Sequence, residues 1–216
     1  VTTYSGLFNV YRLEHNMGLA KALNNGILQC KNEIIVRMDS DDVSMPDRVE
    51  KQMKAMKEKN ADIVGSNIIE FVGDISNTGN MRVVPENNEE IIMFAKNRSP
   101  FNHPSVMYKK SAVIEAGFYE DYRFFEDYNL WCTMLNKGYK GYNVKENLLY
   151  MRGGSEMYKR RGGVSYVRYI YRFRKHLKKI GFISMGNFLT SVLTRSIVSI
   201  IPNGLRVALY GNTLRK

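Results

Sequence analysis

Hydrophobic positions change period several times along the chain, and each change marks an element. Residues 9–13 alternate apolar and polar, which predicts a short strand. Ala20, Leu23 and Ile27 then share one helical face, with Asn16 as the candidate N-cap. Ile34, Ile35 and Val36 form an apolar run inside residues 33–38, the pattern of a buried strand. Ser44-Met45-Pro46-Asp47 predicts a helix start: Ser44 caps, Pro46 fits the first turn, and Asp47 favours the helix dipole. Val49, Met53 and Met56 give that helix its apolar face. A long strand over residues 62–72 and a Gly- and Asn-rich turn over 73–80 follow. The pattern then predicts a helix over 88–96, a short strand over 105–108 and a short helix over 111–116 closed by Gly117. A helix over 126–136 and a strand over 143–151 complete the series. Alternating strands and helices predict an α/β fold with a mostly parallel sheet flanked by helices.

Beyond residue 151 the pattern changes. Residues 166–179 interleave aromatic and basic side chains. Met185, Phe188, Leu189, Val192, Leu193, Ile197 and Ile200 then follow helical spacing, with Asn187, Ser191, Thr194 and Arg195 on other faces, and Pro202-Asn203-Gly204 stops the helix. Arg195 and the hydroxyl residues argue against a spanning helix, which needs about 20 mostly apolar residues.

Charge sharpens this division. Residues 1–151 carry 18 Lys+Arg against 20 Asp+Glu, whereas residues 152–216 carry 14 against one, Glu156, so the net charge of +11 resides at the C-terminal end. The division predicts a catalytic body over residues 1–151 and a basic, amphipathic helical tail over 152–216 that faces an anionic membrane surface. The competing readings are a helix packed back on the domain or buried in a homo-oligomer interface, and nucleic-acid binding through Tyr166, Tyr169, Tyr171, Phe173 and the intervening arginines. The apolar face after Gly181 suits lipid better than phosphate, which disfavours nucleic acid. With 216 residues, 44% hydrophobic and 25% charged, the chain suffices for one sizeable core. Cys30 and Cys132 lack metal-ligand spacing and read as reduced thiols of a cytosolic protein. No signal-peptide pattern is present, and Val1 reads as a trimmed start.

The candidate chemistry lies in two acidic sites. Asp39-Ser40-Asp41-Asp42 follows the buried run Ile34–Val36, and in open α/β sheets ligands bind beyond the strand ends. Carboxylates gathered there repel unless something holds them, and the usual holder is Mg²⁺ or Mn²⁺, bound by one or two carboxylates while phosphates complete the shell. Phe125-Glu126-Asp127 opens a helix far downstream. A metal–phosphate carboxylate set with a separate carboxylate base suggests transfer of a group from a phosphorylated donor.

Three ordered segments carry a resemblance. Residues 16–27, Asn-Met-Gly-Leu-Ala-Lys-Ala-Leu-Asn-Asn-Gly-Ile, resemble the N-x-G-(x)-A-x-A-x-N-x-G segment of family 2 glycosyltransferases. Arg37-Met38-Asp39-Ser40-Asp41-Asp42 with Pro46-Asp47-Arg48 resembles their DxD region, and Phe125-Glu126-Asp127-Tyr128-Asn129-Leu130-Trp131 their E-D motif. The resemblance covers residues 8–151 and implies a GT-A fold and inverting transfer of a sugar from a nucleotide diphosphate donor, UDP-sugar, in cell-surface polysaccharide synthesis. It implies that Asp41 and Asp39 hold the metal, with Asp39 also approaching the ribose. Asp127 is then the general base, Glu126 an acceptor contact or positioner, and Lys21 a diphosphate contact. Asn102 and His103 fall on the acceptor side, and the acceptor is a glycan or lipid-linked hydroxyl at the cytoplasmic face of the membrane. The family's first strand, its Pro-x-Tyr-like loop and its Val-Asp-Asp-Gly-Ser segment are not found in this sequence, so the resemblance implies a chain lacking the base-binding half of the nucleotide site. The family's Tyr-Arg-x-His element is replaced by Tyr150-Met151-Arg152-Gly153, leaving Arg160 and Arg161 as candidates for the diphosphate. Within enzymes the alternative is a sugar-phosphate nucleotidyltransferase, against which the E-D motif speaks; outside them it is a fragment that associates with membranes without turnover.

Overall fold

A computed structural model describes residues 7–153 and 163–201. Its sheet contains β1 (Ile34–Val36), β2 (Val43–Ser44), β3 (Ile63–Phe71), β4 (Thr78–Arg82), β5 (Met107–Lys109) and β6 (Gly141–Arg152). The helices are α1 (Leu19–Gln29), α2 (Arg48–Glu58), α3 (Asn88–Ala95), α4 (Lys110–Ala116), α5 (Glu126–Asn136), α6 (Val164–Lys179) and α7 (Met185–Ile200). The α/β class holds, but the sheet is mixed. The strand order is β1-β5-β3-β6-β2, with β4 also on β3. Among the described residues only β3 and β6 pair in parallel; the other pairings are antiparallel. Strand–helix alternation predicts parallel neighbours only when successive strands pair, and here β5 returns late in the chain to lie between β1 and β3.

Other local expectations shift for physical reasons. Residues 9–13 form no strand, because no described strand offers them a ladder. Helix α1 begins at Leu19 behind Gly18, whose φ of 83° is open to glycine; Asn16 Oδ1 accepts from the Gly18 N–H instead of capping the helix itself. Ser44 pairs in β2 with Leu149, and α2 begins only after Asp47. The inward face of α2 is Arg48, Gln52, Ala55 and Met56, while Val49 and Met53 are exposed. Backbone carbonyls beneath α2 need donors, and that requirement outranks the apolar pattern.

The β3–β6 pair is the spine. Phe101 fills a slot between Gly65 and Gly141: a Cβ on Gly65 would lie 2.2 Å from Asn143 Oδ1 and 2.9 Å from Phe101, and one on Gly141 2.7 Å from Phe101. Phe101 meets Trp131 edge-on, at the centre of a core that also takes Ile91, Tyr108, Val113 and Leu130. Helix α6 belongs to the same core through Tyr166, Ile170, Phe173 and Leu177. Its Arg174, buried, donates to the carbonyls of Lys96 (2.8 Å) and Asn97 (3.1 Å). The aromatic and basic segment is thus built partly into the domain. Among the described residues no helix is long and apolar enough to cross a membrane.

Candidate functional site

The loop after β1 is held from below by a buried polar network. The Arg48 side chain, 1% exposed, donates from Nη2 to the Arg37 carbonyl (2.7 Å) and from Nε to Gln52 Oε1 (2.9 Å). Gln52 Nε2 donates onward to the carbonyls of Val64 (3.0 Å) and Ser105 (2.7 Å). Burial, and secondarily the Arg37 charge, bring the Arg48 guanidinium down to about 10, with Asp42 opposing, so it stays cationic at neutral pH. The buried Arg37 guanidinium grips Asp39 with two donors, Nη1 to Oδ2 at 3.0 Å and Nη2 to Oδ1. One network therefore joins the end of β1, the start of β3 and the 3-10 turn His103–Ser105.

The loop's far side is tied by Arg152. Its backbone N–H donates to Asp42 Oδ1 (2.8 Å), its Nε to the Asp41 carbonyl (3.2 Å) and its Nη1 to the Gly73 carbonyl (2.6 Å), while its guanidinium lies 4.6 Å from the Phe71 ring centroid. Asp42 is buried and its Oδ2 finds no partner among the described residues. Burial raises its carboxyl to about 6; the Arg152 N–H opposes this, and the charges of Asp39 and Asp41 add to it.

Among the described residues, no three His, Cys, Asp or Glu side chains converge as a self-sufficient metal cage. The residues present could serve a different arrangement: the carboxylate oxygens of Asp39 and Asp41, two residues apart and accessible, beside an Asp42 oxygen that has no partner among the described residues. Mg²⁺ and Mn²⁺ sites of one or two carboxylates draw their remaining ligands from water and phosphate.

The second acidic site opens α5. Phe124 has φ 72°, a left-handed turn that delivers Phe125 and then Glu126 and Asp127 in the first helical turn. The turn is clamped by rings: Phe125 stacks on Phe173 (4.7 Å, 8°), and Phe124 meets Tyr166 and Tyr169 edge-on. Glu126 is half-buried, and its carboxyl is raised by burial first, then by the charges of Asp127 and Asp121.

His103 links the two acidic sites. Its Nε2 lies 3.1 Å from the Tyr119 hydroxyl, and its ring packs on Trp131. Burial lowers the imidazole to about 4; Asp127 and Asp39 both oppose this, while Arg37 reinforces it. Both acids thus act on one neutral histidine. Tyr119 is buried within the field of Arg37 and Asp127, and burial holds its hydroxyl well above the usual tyrosine value. Asn24 of α1 fixes Tyr119 from both sides, donating to its carbonyl (2.8 Å) and accepting from its N–H (2.9 Å).

His103 therefore lies within the electrostatic reach of both Asp39 and Asp127. Asn102 is buried and donates to the carbonyls of Ser66 (2.9 Å) and Arg82 (3.2 Å), a fastener between β3 and the end of β4. Lys21 is exposed on α1. Arg160 and Arg161 lie outside the described residues. Sequence reasoning passed over Gln52 and Tyr119. It quoted Asn24, Arg37, Arg48 and Arg152 within motifs without giving any of them a role.

Residues 1–123 match the model of glycosyl transferase family 2. This chain is a family 2 glycosyltransferase. The match stops just short of Glu126 and Asp127, but similarity to whole proteins continues past them. The chain is 36% identical over 208 residues to the Escherichia coli UDP-Gal:alpha-D-GlcNAc-diphosphoundecaprenol beta-1,3-galactosyltransferase, covering 95% of this chain and 75% of that enzyme. It is 38% identical over 189 residues to the amylovoran biosynthesis glycosyltransferase AmsE of Erwinia amylovora, covering 85% of this chain and 70% of AmsE. In three dimensions this glycosyltransferase matches residues 1–349 of S. aureus TarS in complex with UDP-GlcNAc, with a TM-score of 0.61 at 14% identity. That likeness covers 95% of this chain but only 59% of the solved one, and shows the GT-A fold.

Proposed function

We propose that this family 2 glycosyltransferase moves a sugar, with inversion, from a UDP-sugar to a hydroxyl of a glycan or lipid-linked acceptor. The reaction serves cell-surface polysaccharide synthesis at the cytoplasmic face of the membrane. The relatives' names support the substrate class: one acts on a diphosphoundecaprenol-linked sugar, and another serves amylovoran synthesis. The observation that supports the chemistry is that the fold fixes both acidic sites, Asp39 gripped by Arg37 in the loop after β1 and Asp127 in the first turn of α5, with both carboxylates acting on the same buried histidine. Inverting transfer needs a site for a departing diphosphate and, across the anomeric carbon, a base for the incoming hydroxyl; it needs no nucleophile from the protein.

Asp127 accepts the proton of the acceptor hydroxyl as its oxygen attacks the anomeric carbon. Glu126 positions the acceptor beside it. Asp41 and Asp39 would hold Mg²⁺ or Mn²⁺ with the donor diphosphate; bound there, the cation neutralises charge on the leaving group. Arg37 fixes the Asp39 carboxylate against its own repulsion with Asp41 and Asp42. Lys21, Arg160 and Arg161 add positive charge for the diphosphate. His103 presents a neutral, oriented imidazole to the acceptor side.

Asp127→Asn keeps the size and helix position of the side chain and removes only the proton acceptor. Transfer should fall by about 10²–10⁴-fold, the usual worth of a general base, with UDP binding by calorimetry unchanged. Normal turnover by Asp127→Asn rejects the base assignment.

A further inference from the structure

Helix α7 carries its apolar face outward. Met185, Leu189, Leu193, Ile197 and Ile200 recur every three or four residues as one stripe, each 52–63% exposed. The opposite side buries Ser191 and Ser199, and Arg195 donates to the Asn97 carbonyl. A helix whose only task was to pack on the domain would bury the stripe and leave the serines in water. A contiguous exposed stripe of this kind marks an interaction surface.

Charge identifies what it meets. Between residues 163 and 201 the sequence holds seven Lys and Arg and no Asp or Glu. Arg174 and Arg195 are engaged by backbone carbonyls of the domain. Arg168, Arg172, Lys175, Lys178 and Lys179 on α6 are exposed. Tyr171 joins the two surfaces: Lys175 Nζ sits 5.9 Å from its ring centroid, and its ring meets Phe188 of α7 edge-on at 5.8 Å. Apolar side chains bordered by cations match the acyl–headgroup boundary of an anionic bilayer. A second copy of the chain would cover the stripe but bring like charges together, and a nucleic acid would engage the cations and leave the stripe in water.

We propose that the α6–α7 hairpin docks this glycosyltransferase on an anionic lipid bilayer, the stripe entering the interface and the α6 cations meeting lipid phosphates. This deepens the reading of a membrane-linked acceptor and rests on that reading only for its purpose. Phe173 of α6 is stacked on Phe125, next in sequence to Glu126 and Asp127, so docking would hold the base at a set position relative to the bilayer surface.

Flotation of the full chain with vesicles tests the docking without turnover. Vesicles of phosphatidylcholine mixed with phosphatidylglycerol should carry the protein up the gradient; phosphatidylcholine alone should not. Combined Leu189→Ser, Leu193→Ser and Ile197→Ser should weaken partitioning more than about tenfold, from the lost apolar burial. Arg168→Gln with Lys175→Gln should weaken it about fivefold per charge. All five side chains are exposed, so both variants should keep the wild-type melting temperature. Binding undiminished by the serine variant, or absent in the wild type, overturns the proposal. So does a dimer in sedimentation that the serine variant dissolves, or salt-sensitive RNA binding in place of flotation. Flotation that persists while Asp127→Asn turns over normally removes the catalytic reading and leaves the docking surface intact.

Discussion

Arg48 is the residue on which the loop after β1 rests, because its guanidinium satisfies the Arg37 carbonyl and Gln52 at once. Arg48→Met preserves the stem but leaves a buried carbonyl and a buried amide oxygen unpaired. Urea denaturation should show a loss of about 3 kcal/mol. The pH dependence of stability divides between two other residues. His103, depressed to about 4, binds its proton more readily when unfolded, so its contribution to stability is lost as pH falls from 6.5 through 4. Asp42, raised to about 6, binds its proton more readily when folded, so its contribution is lost as pH rises from 3.8 through 6. The two slopes oppose over the same window. Asp42→Asn should remove one and leave stability climbing with pH between 4 and 6.5 in melting experiments. A profile unchanged from wild type contradicts the burial of Asp42 or of His103. The acids were legible in the sequence because charges following an apolar strand demand a reason. Gln52 and Tyr119 were not, because each matters through partners that only the folded chain brings near: Tyr119 meets His103 sixteen residues away and Asn24 ninety-five residues away.

At the scale of elements, periodicity served where one face alone is buried. Helix α5 spans Glu126–Asn136 as its pattern predicts, and β3 lies within the expected strand. The pattern misled where polar groups had to be satisfied first, as on the inward face of α2, and where no ladder partner was present, as at residues 9–13. Helix α6 shows a third limit. Its interleaved rings and cations left lipid-facing, core and base-stacking readings open, lipid favoured, and the place of its inner face in the core came from the start of α5, where Phe125 and Tyr128 receive Phe173. Phe173→Ala should therefore cost about 3–5 kcal/mol in thermal or urea unfolding, the range for a buried Phe. It should also lower transfer, since the Phe125–Phe173 stack buttresses Glu126 and Asp127. A Phe173→Ala protein as stable as wild type contradicts the place of α6 in the core.

For the whole molecule, the asymmetry of charge and the mixed sheet have one consequence. The near-neutral body places Asp39, Asp41 and Asp42 after β1 and Glu126 and Asp127 at the start of α5, while exposed cations collect on α6, so the proposed donor site and the proposed bilayer surface draw on different elements. The central claim is that the loop after β1 and the start of α5 serve one transfer site, the first capturing the donor and the second activating the acceptor. Calorimetric titration of the chain with UDP, with and without Mn²⁺, tests it most directly when repeated on Asp41→Asn and Asp127→Asn. The account predicts Mn²⁺-dependent binding by the wild type, loss of that binding in Asp41→Asn, and its retention in Asp127→Asn. Equal binding in the absence of Mn²⁺, or wild-type affinity in Asp41→Asn, would contradict it.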